Sequence, residues 1–556
     1  MKYTIGLDFG TLSGRAVLVD TSDGREAASA VFDYPHAVID DILPSGGEKL
    51  PGSWALEDPS DYIAVMKRVI PEVIAKAGAD VSDVIGICVD FTCCTAMPIY
   101  ADGTPLCFTE KWKNEKNAWV KLWKHHSTQS YADRINDIYR DGGYGFLSHL
   151  GGKMSSEWML PKLWETIEEA PGVYGDCDYF IECGDWINLL LTGKLTRNYL
   201  MASFKSCYIA GKGYPPEDFL IKCNPGLADA FSEKLSGPVV MNGMCIGRVT
   251  EKAAAEFGLC PGTAVAAAVP DAHVAAFSLG IKGPGDLFGI MGTSNCYFLA
   301  SDKPKNVPGI CGCVENGLID GYYGYEAGLC CVGDHFAWAA ENLSTPEYAE
   351  EAKRLGISNL KLLISKASEK KPGETGLVAL DWWNGNRNIL VNGLLSGLIV
   401  GLTLKTAPED IMRALIEATA FGTRTIFENY KSHGLEINHF IAAGGIARKD
   451  PFTMQLYADV LHMPVHITST TQAPALGCAI LAAAAAGSEA GGYSSVNEAV
   501  EAMKVPETFV YMPDEERGKI YDRLYSEYML LHDWFGRGGN DVMMRLRSLA
   551  EEIREA

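Results

Sequence analysis

The sequence predicts a two-domain α/β protein, and three observations carry that prediction. Its 556 residues exceed what one hydrophobic core usually organises. The first ninety residues read as strand, hairpin, helix and strand. A second strand, polar turn, strand pattern begins at residue 286. Two related sheets facing one another, with small-molecule chemistry in the cleft between them, account for all three.

Taken in order, Thr4 to Asp8 forms a short apolar strand, a Gly/Thr/Ser turn follows, and Arg15 to Asp20 returns as a second strand. Asp58-Pro59 opens an amphipathic helix running to about Ala77, and Val84 to Phe91 is a buried strand. Turn formers from Gly280 to Gly285 mark the boundary, which divides the chain into 1–280, 281–490 and a C-terminal helical extension, 491–556. Beyond it, Asp286 to Gly292 and Cys296 to Ala300 flank Thr293-Ser294-Asn295. A long helix is expected from Pro408 to about Tyr430, with apolar Ile411, Leu415, Ala418 and Ile426 along it. A strand at His439 to Ala443, a Gly444-Gly445 turn, and helices at Pro451 to Leu461 and Ala473 to Ala486 follow. The charged stretch from about Tyr511 to Ala556 reads as a helical, solvated packing element.

Composition narrows the function. A formal net charge of -22 without a Lys/Arg-rich run argues against a nucleic-acid or anionic-membrane partner, so any phosphate must be held locally by backbone N–H groups or a metal ion. The sixteen cysteines include adjacent pairs, Cys93-Cys94 and Cys330-Cys331, inside apolar stretches, which suits buried thiols better than a disulfide framework. With no C-x-x-C or H-E-x-x-H pattern, a metal is expected on oxygen ligands. His125-His126 do not converge as ligands, because neighbours on a helix point about 100° apart. No basic-then-apolar leader precedes Tyr3, and the run Ala473 to Gly487 is too short to span a bilayer, so a cytoplasmic location is expected.

The chemistry-bearing segment is Asp8-Phe9-Gly10-Thr11-Leu12-Ser13-Gly14-Arg15. Glycines let a backbone approach a ligand closely, hydroxyls add hydrogen bonds, and a carboxylate leaving the strand can hold Mg2+ through water. An ordinary hairpin tip has the same composition. The segment matches neither G-x-x-x-x-G-K-[ST] nor G-x-G-x-x-G, so the phosphate is held in another way. Gly292-Thr293-Ser294 offers a comparable turn, and Gly444-Gly445-Ile446, between a strand and a helix, can lie against adenosine. Trp123 and Trp382-Trp383 can stack on a base, although aromatic pairs belong more often to the core.

These segments, with Pro270-Asp271-Ala272-His273 and a signature from Gly397 to Glu417, resemble the FGGY carbohydrate kinases over most of the chain. The resemblance implies the two-domain actin-like ATPase (ribonuclease H-like) fold, with ATP and sugar in the interdomain cleft. Longer stretches resemble the branch that phosphorylates L-ribulose in L-arabinose breakdown: Val89 to Thr95, Val120 to His126, Gly151 to Lys162 and Tyr323 to Gly328. By the same resemblance Asp271 is the general base, and Cys93, Lys205, Asp271 and Glu326 contact the sugar. Gly10, Thr11, Ser13, Arg15, Gly292, Thr293, Ser294, Gly444 and Gly445 contact ATP, and Asp8 holds Mg2+. An Asp after Pro is also a common helix cap, and Asp271 can serve in both ways. Cys93 stands where a smaller Ala or Ser is expected, which bears on sugar preference.

Two other readings stay open at this point. Another ketopentose or pentitol, such as D-ribulose or ribitol, would use the same machinery. A chaperone-like ATPase of the same fold would need a peptide-binding or polymerisation segment, and none is read in the sequence. Small-molecule sugar and ATP are the expected partners, with homodimerisation left open.

Overall fold

A computed structural model describes residues 1–46 and 49–555. The chain folds into two compact units: Met1–Gly280 with Gln472–Val505, and Ile281–Thr471 with Pro506–Ala556.

The first unit is built on a mixed sheet. Strands β1 (Tyr3–Phe9), β2 (Ser13–Asp20) and β3 (Glu26–Asp33) form an antiparallel meander, and β4 (Val84–Phe91) pairs parallel with β1. Strand β5 (Cys245–Arg248) lies antiparallel to β6 (Ala264–Ala266), which pairs parallel with β4, and β7 (Val269–Pro270) pairs with the same edge of β4 further along. The order is β5-β6-β4-β1-β2-β3. Ile5, Leu7, Phe9, Ile87, Val89 and Phe91 are buried on one face of the sheet and Val17, Val19 and Cys88 on the other, which is why these strands read as near-continuous apolar runs. The helix Pro59–Ala77 covers one face; Asp58 caps it through Ser60 N–H, Pro59 sits in its first turn, and Gly78 ends it in the left-handed conformation.

The other face is covered by the helix Ala473–Ala486. Its approach is so close that a Cβ on Gly6 would stand 1.7 Å from the Ala475 carbonyl oxygen. A run of alanines permits that contact, and Thr4 donates a hydrogen bond to the Ala479 carbonyl across it. Residues 472–505 therefore pack with the first unit. This differs from the sequence-based division, which placed 472–490 in the second domain and 491–505 in the extension. Nothing local in an alanine helix tells which sheet it covers.

Between β4 and β6 the first unit carries a long insertion. Its helix Met159–Glu169 buries Glu165 against Lys121 and His125, with Nζ–O and Nε2–O distances of 2.6 and 2.8 Å.

The second unit repeats the plan. Strands β8 (Asp286–Met291) and β9 (Asn295–Ser301) form a hairpin, β10 (Gly312–Glu315) and β11 (Tyr323–Leu329) extend it antiparallel, and β12 (His439–Ala443) and β13 (Val465–Thr468) continue it in parallel from β8. Strand β14 (Glu507–Tyr511) closes the edge antiparallel to β13, giving β10-β11-β9-β8-β12-β13-β14. The helices Pro408–Ser432 and Pro451–Leu461 pack on this sheet's core. The expected helical tail divides into Glu515–Gly536 and Val542–Glu555, preceded by β14; Ala556 lies outside the described residues.

No disulfide joins the cysteines among the described residues, and most of the thiols are buried. No helix among those residues is long and apolar enough to cross a membrane.

Candidate active site

In the first unit, the C-terminal ends of three neighbouring strands bring three carboxylates together. Register sets Asp8 beside Asp90 on the β1/β4 pair, and Pro270 beside Phe91 on β7/β4, so Asp271 follows directly at that edge. The carboxyl ends of parallel strands are the usual ligand-binding edge of an α/β sheet.

Asp8 is 7% exposed, and its Oδ2 lies 3.5 Å from Arg15 Nε on the adjacent strand. Burial pushes its carboxyl above the ordinary range, while the Arg15 guanidinium and a hydrogen bond with Asp90 pull it down. Asp90 is fully buried and raised well above the ordinary range, first by burial and then by the charges of Asp8 and Asp271. Its Oδ2 accepts from Cys478 Sγ at 3.3 Å, whereas Oδ1 meets no donor among the described residues. Burial beside two other carboxyls therefore favours the protonated form of Asp90. Sequence reading treated Asp90 only as part of a buried strand. An acid at the last turn of an otherwise apolar run was the available signal.

Gly10, Thr11 and Leu12 form the turn between β1 and β2, closed by a 3.0 Å bond from Gly10 N–H to the Ser13 carbonyl. Trp123 donates its indole N–H to Thr11 Oγ1 at 3.1 Å, so this tryptophan supports the turn. Trp382 is fully buried in the second unit's core, and Trp383 packs its ring against Trp338 and His335.

Asp271 is half-buried and begins the helix Asp271–Leu279, with Pro270 at the cap position; its Oδ1 accepts from Ala272 N–H at 2.8 Å. Lys205 ends the helix Tyr199–Lys205, whose Phe204 ring lies 4.6 Å from that of His273. This contact joins the end of one helix to the start of the other. Cys93 is half-buried in the turn after β4, where Cys94 takes a φ of +64° and the Thr92 and Thr95 hydroxyls bond at 2.7 Å. The structure thus gathers Asp8, Cys93, Lys205 and Asp271 around one edge of the first unit's sheet.

The remaining predicted residues belong to the second unit. Gly292, Thr293 and Ser294 form the β8/β9 turn, where Gly292 N–H bonds the Ser294 carbonyl at 3.0 Å and Thr293 is exposed. Gly444 ends β12 beside it with a φ of +97°, and a Cβ there would stand 2.5 Å from the Met291 carbonyl oxygen. A Cβ on Gly445 would meet nothing within 4 Å. The two glycine-bearing turns sit on neighbouring strands with open backbone, which suits phosphate and nucleoside approach. Glu326 lies on β11, 6% exposed, with its charge felt by the buried Tyr430.

Solved structures share this architecture. A xylulose kinase from Rhodospirillum rubrum superposes with a TM-score of 0.76 at 25% identity, covering 96% of this chain and 98% of that one. A glycerol kinase from Plasmodium falciparum, solved with ADP, gives 0.72 at 17% identity over 95% and 98% of the two chains. The fold is the two-domain actin-like ATPase fold of the sugar kinases.

Family comparison narrows this further. The N-terminal domain model of the FGGY family of carbohydrate kinases matches residues 3–278, and the C-terminal model matches 287–486. The chain belongs to the FGGY family of carbohydrate kinases and is a phosphotransferase. Among its relatives, a ribulokinase from Geobacillus thermodenitrificans is 47% identical, covering 100% of this chain and 98% of its own length. One from Mycolicibacterium smegmatis is 45% identical over 98% and 96% of the two chains.

Proposed function

We propose that the chain transfers the γ-phosphoryl group of ATP to L-ribulose, giving L-ribulose 5-phosphate and ADP, with Asp271 as the general base. The observation that carries this reading is the full-length identity to ribulokinases, together with the meeting of Cys93, Lys205 and Asp271 at one strand edge. Asp271 accepts the proton of the attacking hydroxyl, Lys205 and Glu326 hold the sugar's oxygens, and the turns at Gly10–Ser13, Gly292–Ser294 and Gly444–Gly445 offer backbone N–H groups to the nucleotide.

Asp8 fits a hard cation. It is an oxygen donor at an edge that also carries Asp90 and Asp271, and a divalent cation would offset the burial that raises its carboxyl above the ordinary range. It would hold Mg2+ there together with water. When bound, Mg2+ supplies charge neutralisation on the transferred phosphoryl group.

A panel of pentuloses and pentitols with ATP tests the sugar. L-ribulose should give the highest kcat/KM, and equal or better turnover of D-ribulose or ribitol would transfer the assignment to that sugar. Asp271→Asn tests the base, because Asn retains an acceptor for Ala272 N–H and removes only the basic carboxylate. We expect kcat to fall by about 10²–10⁴-fold with little change in the sugar KM.

A further inference from the structure

A second cluster of ligating side chains lies at the opposite edge of the second unit's sheet. His439 opens β12, His466 follows Val465 on β13, and Glu507 opens β14, so three consecutive neighbouring strands each contribute one. Glu507 Oε1 is 3.1 Å from His439 Nε2, and its Oε2 is 2.6 Å from His466 Nδ1. The imidazole rings meet edge to face with centroids 4.2 Å apart, and one ligand atom from each of the three residues lies within 4.8 Å of the others.

Two features show that this meeting is constructed. The first is a bulge. His466 pairs with Val510 and Ile467 with Phe509, but Thr468 pairs with Glu507, leaving Thr508 extra in β14. Strand alternation alone would send Glu507 to the face opposite Val510 and hence opposite His466. The extra residue turns Glu507 back onto the histidine face. Thr508 secures the bulge with a 3.2 Å bond from its hydroxyl to the Ile467 carbonyl.

The second is an outer carboxylate. Asp286 pairs directly with His439 in the β8/β12 register, and its Oδ1 faces His439 Nδ1 at 3.6 Å. Asp286 is itself held by the N–H groups of Lys282 at 2.8 Å and Gly283 at 3.3 Å. His439 therefore faces a carboxylate at each ring nitrogen, and Asp286 would keep a proton on Nδ1 when Nε2 gives its proton up to bind a metal, as in the carboxylate–histidine–metal pattern.

We propose that His439, His466 and Glu507 form a binding site for a divalent transition-metal ion, with Zn2+ the best match, tying β14 to β12 and β13 where the chain re-enters the second unit. Two imidazoles and a carboxylate are a zinc ligand set, with the fourth tetrahedral position left to solvent. Imidazole selects zinc, copper or nickel over Mg2+, so this site is chemically distinct from the one assigned to Asp8. Binding replaces the two histidine–glutamate hydrogen bonds by metal bonds and releases any proton held on the ligating nitrogens.

The test uses full-length protein stripped with chelator, with Zn2+ alone as the titrant in calorimetry and Co2+ as the spectroscopic probe. The expected result is one site per chain, a Zn2+-dependent rise in thermal midpoint, and a cobalt d–d spectrum without a thiolate charge-transfer band. Glu507→Gln keeps a hydrogen-bond acceptor for the histidines and should fold normally while binding at least about tenfold more weakly. His439→Ala with His466→Ala should abolish the site, and Asp286→Asn should weaken it about tenfold. Absence of binding, binding unchanged in these variants, or a thiolate band in the cobalt spectrum would overturn the proposal.

Discussion

The two sheets share one plan, and their differences show how a repeated framework acquires separate tasks. The order β3-β2-β1-β4-β6-β5 in the first unit matches β11-β9-β8-β12-β13-β14 in the second. Across these six strands each runs antiparallel, antiparallel, parallel, parallel, antiparallel, and the second sheet adds β10 antiparallel beyond β11. Each opens on a hairpin with a Gly/Thr/Ser turn. Yet two residues before the turn glycine stands Asp8 in one unit and Ile290 in the other, and their strand partners are Asp90 and Ala443. The same backbone therefore presents a carboxylate pair in the first unit and an apolar pair in the second. The first unit adds Asp271 and a long insertion bearing Cys93 and Lys205; the second has only short helices between β12 and β13. The clustered carboxylates at the strand ends thus belong to the first copy, while the second keeps bare turns at the corresponding place.

The largest effect that would break this comparison is at Asp8. Asp8→Asn should lower kcat by about 10²-fold or more, since the first hairpin would lose its carboxylate and approach the character of its Ile290 counterpart. The thermal midpoint should hold or rise, because a buried charge is costly and its removal relieves that cost. Activity near the parent level, across a range of Mg2+ concentrations, would show that the acidic pair is not what separates the two hairpins.

Gly444→Ala probes the second copy. Its φ of +97° and the 2.5 Å approach to the Met291 carbonyl both exclude a Cβ. The expected cost is roughly 2–4 kcal/mol in denaturant unfolding, combining backbone strain with overpacking. A smaller loss would mean that the β8 and β12 turns can separate.

How far the sequence could be read follows the same division. Helix Pro451–Leu461 was legible to the residue because Asp450 caps it through Thr453 N–H and Pro451 fixes its first turn. Strand β4 was legible because an unbroken apolar run needs burial on both faces. Placement of the Ala473–Ala486 helix depended on a contact with Gly6 more than 460 residues away, which local pattern does not encode. Strand β14 escaped because its residues are largely exposed and its bulge interrupts alternation. The Gly/Thr/Ser turns and the helix start at Asp271 were legible as local structure, whereas the placing of Asp8 beside Asp90 depends on cross-strand register.

The insertion carried by the first unit alone also has a pH dependence. His125 is buried, accepts from Ala55 N–H at Nδ1, and directs Nε2 toward Glu165 at 2.8 Å, so its neutral form is satisfied and a second proton would face a donor. Burial holds its pKa down at about 4, below the ordinary 6.5. Between these values the unfolded chain binds a proton that the folded chain refuses, so stability should fall as pH falls, by roughly 2 kcal/mol between pH 7.5 and 5. Glu165 adds to the loss at lower pH: burial alone would raise its pKa, but Lys121 and His125 hold it well below the ordinary range. His125→Gln should flatten the slope of stability between pH 7.5 and 5, and an unchanged slope would assign it elsewhere.

The smallest expected effect on folding is at Gly10, and it sharpens the comparison with Gly444. A Cβ on Gly10 would meet only the Ser13 carbonyl oxygen at 3.5 Å, an ordinary contact, and its φ lies outside the left-handed region. Gly10→Ala should therefore change stability by less than about 0.5 kcal/mol. The added methyl would instead occupy the open side of the turn, where the proposed function brings the nucleotide's phosphate. The KM for ATP should rise about tenfold while the KM for the sugar stays near the parent value. If both constants stayed unchanged, the first hairpin would not be part of the nucleotide site, and its glycine would be a feature of the turn alone.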